Sequence, residues 1–425
     1  MTDQRSQAEI VRQSLKRRYR KERRFRLYGI LAITVALASL VILFADIIGK
    51  GHTGFIKTTI TLDVPLDSEM MYLEDPTDED QLSMADFNAP IIAALQEHFP
   101  EVDSAGERRE LARLVGNYAA SDISDLLKSN PELLGTTQTM EFLAHDRVST
   151  YVKHEDNPRY TIKLSEQQQR WVDELMEKGV VDTGFNDVLF SRGDSREPGN
   201  AGILGAIVGS LLTMFVTLAV SFPVGIAAAV YLEEFAPKNR ITDFIEVNIN
   251  NLAAVPSIIF GLLGLAVFIG LFGLPRSVPV VGGLVLALMT LPTIIISSRA
   301  AIKAVPPSIR EAAEGVGASK MQVVLHHVVP LAMPGMLTGS IIGMAQALGE
   351  TAPLLLIGMV AFIVDVPDGL FSSATVLPVQ IYLWASSSEQ GFVELASAGI
   401  MVLLTFMITM NAFAIWLRKR LERRW

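Results

Sequence analysis

The stretch EAAEGVGASKMQVVLHHVVPLAMPG, residues 311–335, is polar and broken by glycine, yet long apolar segments flank it on both sides. Pro306 and Pro307 close the apolar segment before it. Ser308 stands where it can cap a new helix with Glu311 at the third helical position, and Ala312 and Ala313 extend that helix. Gly315 and Gly317 interrupt it, and a second short helix is predicted over 319–329, stopping at Pro330. Two short helices about a glycine turn form a knob that another protein can grip, which a plain connector would not need.

Composition sets the solvent for the rest. The chain is 50% hydrophobic and 19% charged, with mean hydropathy +0.36. That is too apolar for an ordinary soluble enzyme and matches a polytopic membrane protein carrying some soluble mass. Crossing a ~30 Å hydrocarbon core takes about 20 mainly apolar residues. Segments 27–48, 203–232, 252–274, 278–304, 331–364 and 392–417 qualify, giving about six spans. The first exceeds a signal-peptide core and no small-residue cleavage site follows it, so it reads as an uncleaved anchor. The absence of cysteine excludes disulfides, thiolate catalysis and cysteine-type zinc sites. His326 and His327 are neighbours and point to different helix faces, so no metal site is expected. No catalytic group and no cofactor are expected either. With no GxxxxGK[ST] motif in the chain, ATP hydrolysis has to be supplied by a partner.

Charge orients the spans. Residues 1–26, from Arg5 onward, hold ten Lys/Arg against three acids, and the tail 418–425 holds five against one. Both ends are therefore expected in the cytoplasm. The basic run KRRYRKERR suits anionic membrane lipid, and no nucleic-acid partner is inferred from it. Residues 49–200 then lie outside. They carry 29 Asp/Glu against 14 Lys/Arg, a net −15 in a chain of net −9. This segment is expected to fold: FIKTTITLDV (55–64) and RYTIKL (159–164) alternate as half-buried strands. SEQQQRWVDELMEKG (165–179) opens with Ser165 and Gln168 spaced as a capping box and lines up Trp171, Val172 and Leu175. EDPTDEDQLSMAD (74–86) lacks EF-hand spacing and reads as a solvated acidic loop.

Glu311, Ala312, Ala313, Gly317 and Pro330 together resemble the coupling loop of type I ABC importer permeases, with His327 and Val329 standing where the family has Ile and Leu. NLAAVPSIIFGLLGLAVF (251–268), ALGETAPLLLIG (347–358) and AGILGAIVGSLL (201–212) are similar to the phosphate-specific, PstA-type subfamily. The resemblance covers about 201 to the carboxyl end. It implies an all-α polytopic membrane protein of the type I ABC importer permease fold, multi-pass in the cell (inner) membrane, with an inserted α+β extracytoplasmic domain. The expected organisation is a basic cytoplasmic segment 1–26, a transmembrane helix 27–48, the acidic domain 49–200, a five-helix core 201–417 with coupling loop 306–330, and a basic tail 418–425. The implied partners are a second permease of PstC type, a cytoplasmic ATPase dimer of PstB type and an external phosphate-binding protein of PstS type.

Ionisable residues at membrane depth are costly unless paired or facing a polar pathway. Arg299, Glu350 and Arg276 are the candidates for the substrate pathway, because a guanidinium can donate two parallel hydrogen bonds to an oxyanion. GETAP (349–353) is expected to interrupt its helix at Pro353. Sulfate, molybdate or phosphonate are alternative substrates, and a membrane sensor is an alternative architecture that would need a cytoplasmic signalling domain. A net −15 surface repels free phosphate, so the domain is expected to dock the binding protein or another envelope component. Arg108, Arg109 and Arg113 are the first residues to test should it bind phosphate itself.

Overall fold

The computed structural model describes residues 7–155, 157–158 and 160–421. Arg5, Arg159 and residues 422–425 of the basic tail lie outside the described residues. The chain divides into two compact units, 1–50 and 51–425. The first is built on helix α1 (Gln7–Gly51), 45 residues long. At 1.5 Å per residue it extends about 68 Å, roughly twice a membrane core. Its apolar side chains between Leu27 and Ile48 are largely exposed.

The second unit begins with a 3-10 turn (His52–Phe55) and strand β1 (Ile56–Pro65). Between β1 and β2 (Thr137–Leu143) lie α2 (Ser68–Met71), α3 (Glu79–Met84), α4 (Asn88–His98), α5 (Ala105–Ala112) and α6 (Ala119–Ser129). After β2 come α7 (Asp146–His154), α8 (Glu166–Glu177), β3 (Val181–Phe185) and α9 (Val188–Ser191). The sheet is antiparallel in the order β2-β1-β3, with Ile60 opposite Phe142 on one side and Val181 on the other. Ile60, Leu62 and Val64 point into a core with Phe99, Phe142, Trp171 and Leu175. That core follows from the two-residue alternation of the strand and the capping box of α8, which is formed between Ser165 and Gln168.

Two expectations for this region are corrected. Residues 160–164 form no strand, because β2 and β3 already occupy both edges of β1. The backbone of Thr161 is instead met by the Gln390 side-chain amide, oriented so that it donates to the carbonyl at 3.3 Å and accepts from the N–H at 3.0 Å. The acidic stretch 74–86 is not a loop throughout. Asp78 caps α3 by accepting from the Asp80 N–H, and Gln81 Oε1 accepts from the N–H groups of Glu74 and Asp75 at 3.1 Å. Several of its polar side chains are therefore spent on orphan helix and turn amides.

The membrane part runs α10 (Leu204–Val230), a π turn (Tyr231–Phe235), α11 (Arg240–Ala253), and α12 (Ser257–Leu263) extended by a π segment (Gly264–Leu271). It continues through α13 (Pro279–Lys303), α14 (Pro307–Gly315), and α15 (Lys320–Val323) with a π turn (Val324–Val328) leading into α16 (Val329–Gly349). Then follow α17 (Ala352–Leu356), α18 (Leu377–Ala385) and α19 (Gln390–Leu421). Among the described residues five helices are long and apolar enough to span a membrane, or six if one bent pair counts as a span.

That pair replaces the straight span expected at 252–274: α11 and α12 meet at 105°. Pro256 lacks an N–H and pushes the preceding residue out of the helical region, so the turn falls there. The span expected at 331–364 is also broken. Its helix ends at Gly349, Glu350 is extended, and after α17 the chain runs as a loop to α18. Pro353 sits in the first turn of α17, where its missing N–H costs nothing, so the interruption precedes it.

Small residues set the helix spacing. A Cβ on Gly339 would lie 1.7 Å from Ser297 Oγ, so α13 and α16 touch backbone to side chain there. The sequence of approaches Gly335 to Ala301, Gly339 to Ser297 and Gly343 to Thr290 runs the two helices antiparallel. Close approach of this kind replaces the hydrophobic drive that is missing in lipid.

The domain of 52–200 is fixed to the last helix by a buried pair. His154 Nε2 of α7 lies 2.8 Å from Glu394 Oε1 of α19, with side chains only 5% and 6% exposed. Tyr160 stacks on the His154 ring at 3.6 Å. Beside them, Leu189, Ile203, Leu377, Trp384, Phe392 and Leu395 form an apolar cluster joining α9, α10, α18 and α19.

Candidate functional site

The quoted stretch forms a knob, with two differences from its sequence reading. Pro306 is the N-cap of α14 and Pro307 its first residue, so Ser308 lies inside the helix and caps nothing. The second short helix does not stop at Pro330. It passes through the π turn into α16, giving one 30-residue helix from Lys320 to Gly349. The widened π turn accommodates a proline without N–H just beyond it. Gly317 makes the corner at φ +90°, a conformation that strains any side chain. Ser319 then caps α15 in a capping box with Gln322.

The knob has a fixed inner face and a free outer one. Inside, Ala313, Val323 and Val328 join Leu232, Ile302, Val305 and Met336 in an apolar cluster. Arg310 locks α14 down. Its Nη2 donates to Glu234 Oε1 at 2.7 Å and to the Ile302 carbonyl at 3.1 Å, and its Nη1 to the Val305 carbonyl at 2.8 Å. These last bonds satisfy carbonyls left open at the end of α13. Outside, Glu311, Ala312, Glu314 and Gly317 are exposed. So are three apolar side chains the sequence reading passed over: Val316 at 86%, Met321 and Leu325. Val316 could have been found from its position between two glycines that break the helix, where no inner face exists to cover it. Pro330 is half-buried at the base.

The three residues expected in a substrate pathway are not brought together. Arg299 Nε donates to Glu233 at 3.2 Å and its Nη2 to Glu246 at 2.6 Å, while Lys303 Nζ lies 3.5 Å from Glu233. These pairs tie α13 to the π turn after α10 and to α11, while Arg310 pairs separately with Glu234, the next residue of that turn. Arg276 is exposed in the turn before α13, beside Gly358. From Pro279 to Arg299 the helix rises about 30 Å, so Arg276 and Arg299 belong to opposite ends. By the α13–α16 pairing, Arg299 lies level with residues near 337, and Glu350 is about 20 Å further along. Glu350 is half-buried as the C-cap of α16. Sequence reasoning missed Glu233 and Glu234, inside the π turn, and Glu246 of α11; the signal was acids at the end of a long apolar segment, where a charge needs a partner.

A bundle of close-packed apolar helices, with a polar knob emerging between two of them, has the make-up of a membrane-spanning protein. Residues 221–425 match the family described as Binding-protein-dependent transport system inner membrane component, and residues 12–161 match a Domain of unknown function (DUF3333). The chain is 30% identical over 231 residues to the probable ABC transporter permease protein YqgI of Bacillus subtilis, covering 51% of this chain and 77% of that one. It is 32% identical over 238 residues to the phosphate transport system permease protein PstA 1 of Mycobacterium tuberculosis, covering 55% and 76%. A third relative, the phosphate transport system permease protein PstC of Haemophilus influenzae, is 32% identical over 232 residues, covering 49% and 72%. The chain belongs to the binding-protein-dependent ABC transporter permease family, among relatives of the PstA type.

Proposed function

We propose that this chain is a translocating subunit of an ATP-driven phosphate importer. In this reading 306–330 docks into a separate ATPase, 49–200 is extracytoplasmic, and both chain ends face the cytoplasm. The observation that carries it is the knob: a helix pair held from inside by Arg310 and Ala313 and presenting Glu311, Ala312, Val316 and Met321 outward. Exposed apolar groups on a rigid base, rimmed by charge, suit a protein groove better than water. Phosphate is supported by the PstA and PstC relatives. The partners in this proposal are a second permease of PstC type, an ATPase dimer of PstB type and a binding protein of PstS type. In this reading Arg299 serves as a structural lock, since its Nε and Nη2 are held by Glu233 and Glu246, and Arg276 and Glu350 are left as the candidates for the pathway.

The test is uptake of labelled phosphate by vesicles holding this chain with its co-purified partners, with sulfate, molybdate and phosphonate as competitors. Phosphate uptake that depends on ATP and is lost in Glu311→Lys, with membrane insertion intact, is the expected result. Wild-type uptake by Glu311→Lys with the ATPase still attached refutes the docking assignment. Stronger competition by another oxyanion than by phosphate itself refutes the substrate.

A further inference from the structure

Between the 52–200 domain and the start of α19 lies a cavity of about 250 Å³. Its walls come from the start of α7, the turn before α6, the segment before α8, the linker before α10, and Glu389 and Gln390 at the start of α19. Six charged side chains line it: Asp146 and Arg147 of α7, Lys163 of the segment before α8, Arg196 and Glu197 of the linker before α10, and Glu389 just ahead of α19. Three are cationic and three anionic, yet no ion pair joins any two of them among the described residues. Arg196 instead lies over the Phe362 ring at 5.6 Å, and Glu197 accepts from the Asn117 amide. Opposite charges held apart around a concave space are complementary to a guest that carries both signs. An anion alone would meet three carboxylates there, and a cation alone three basic groups. With about 30 Å³ per water in the liquid, the space suits a ligand of roughly eight non-hydrogen atoms.

We propose that this cavity is a binding site for a small zwitterion, one carrying an ammonium group and a carboxylate or phosphate. Arg147, Lys163 and Arg196 receive the anionic end, and Asp146, Glu197 and Glu389 the ammonium. Burial, with help from the Glu389 and Glu394 carboxylates, raises the Asp146 carboxyl to about 6, the behaviour of an acid that lacks a bound cation. The site is wired to the transport helices. A Cβ on Gly391, in the first turn of α19, would lie 2.2 Å from Asp146 Oδ1, and the buried His154–Glu394 contact joins the same two helices. Occupancy is therefore read where the domain grips α19. The chemistry fits either a free metabolite or the headgroup of a zwitterionic phospholipid.

The experiment uses the full-length protein in nanodiscs of phosphatidylglycerol, which supplies no zwitterionic headgroup. Calorimetric titration with phosphoethanolamine and with glycine should show binding to at least one, at least tenfold tighter than to ethylamine or inorganic phosphate. Arg147→Gln and Glu389→Gln, both at exposed positions, should each weaken it tenfold or more while leaving the thermal midpoint unchanged. Discs containing phosphatidylethanolamine separate the sources: loss of the titratable site supports the lipid headgroup, and unchanged affinity supports a soluble zwitterion. The proposal is overturned if neither zwitterion binds, if binding survives both substitutions, or if inorganic phosphate competes equally.

Discussion

Removing His154 should be among the most damaging single changes in the chain. Its Nε2 lies 2.8 Å from Glu394 Oε1, and neither side chain is more than 6% exposed. His154→Ala strands a carboxylate between α7 and α19 and leaves a gap under the Tyr160 ring, which stacks at 3.6 Å. Breaking a buried pair by deleting one partner costs about 3–5 kcal/mol, roughly two to three and a half orders of magnitude in the local closing equilibrium. If residues 52–200, roughly 150 residues, unfold as one body, that corresponds to a fall of about 6–20 °C in their thermal midpoint. The double variant His154→Phe with Glu394→Leu replaces both groups by apolar ones and should recover most of the loss. The assay is thermal unfolding in detergent with limited proteolysis of 52–200 as a second probe. Single variants within about 1 kcal/mol of wild type, or a double variant that loses the sum of both singles, would refute the view that this pair holds the domain to the last helix.

Gly317→Ala forces a side chain into φ +90° and should cost about 1–2 kcal/mol at the knob, measured as weaker ATPase co-purification with an unchanged global midpoint. Arg310→Met leaves Glu234, about 10% exposed, without its 2.7 Å partner; it should uncouple ATP hydrolysis from uptake, and Glu234→Gln should partly rescue it. The Asp146 carboxyl is raised to about 6 from an ordinary 3.8, so the folded state binds the proton more tightly than the unfolded one. Its contribution is therefore full below about pH 4 and lost as pH rises through 6. Asp146→Asn should flatten stability between those limits, and a midpoint that keeps its slope there would count against the assignment. Replacing 66–195 by a flexible linker should leave the helices folded and reduce binding-protein-dependent uptake at low phosphate, more so at low salt. Equal uptake at every salt concentration would mean that the acidic domain makes no electrostatic contact.

The sequence by itself determined what local rules and solvent preference determine. The apolar lengths marked 203–232, 278–304 and 392–417 as spans, where the structure has long helices, because hydrocarbon tolerates only long helices with satisfied backbones. The alternation at Ile60, Leu62 and Val64 gave the central strand, and Ser165 with Gln168 gave the start of α8, since both are decided within a few residues. The glycine turn at Gly317 was legible for the same reason. Tertiary structure decided the rest. Whether 160–164 pairs as a strand depended on β2 and β3 reaching β1 first. The 105° bend at Pro256 and the break at Glu350 depend on which backbone groups neighbouring helices can cover at depth. Arg299 reads as a substrate arginine in one dimension. Glu233 and Glu246, 66 and 53 residues away, make it a lock, because a charge's role is set by whatever stands within a few ångströms of it, and sequence distance carries no record of that.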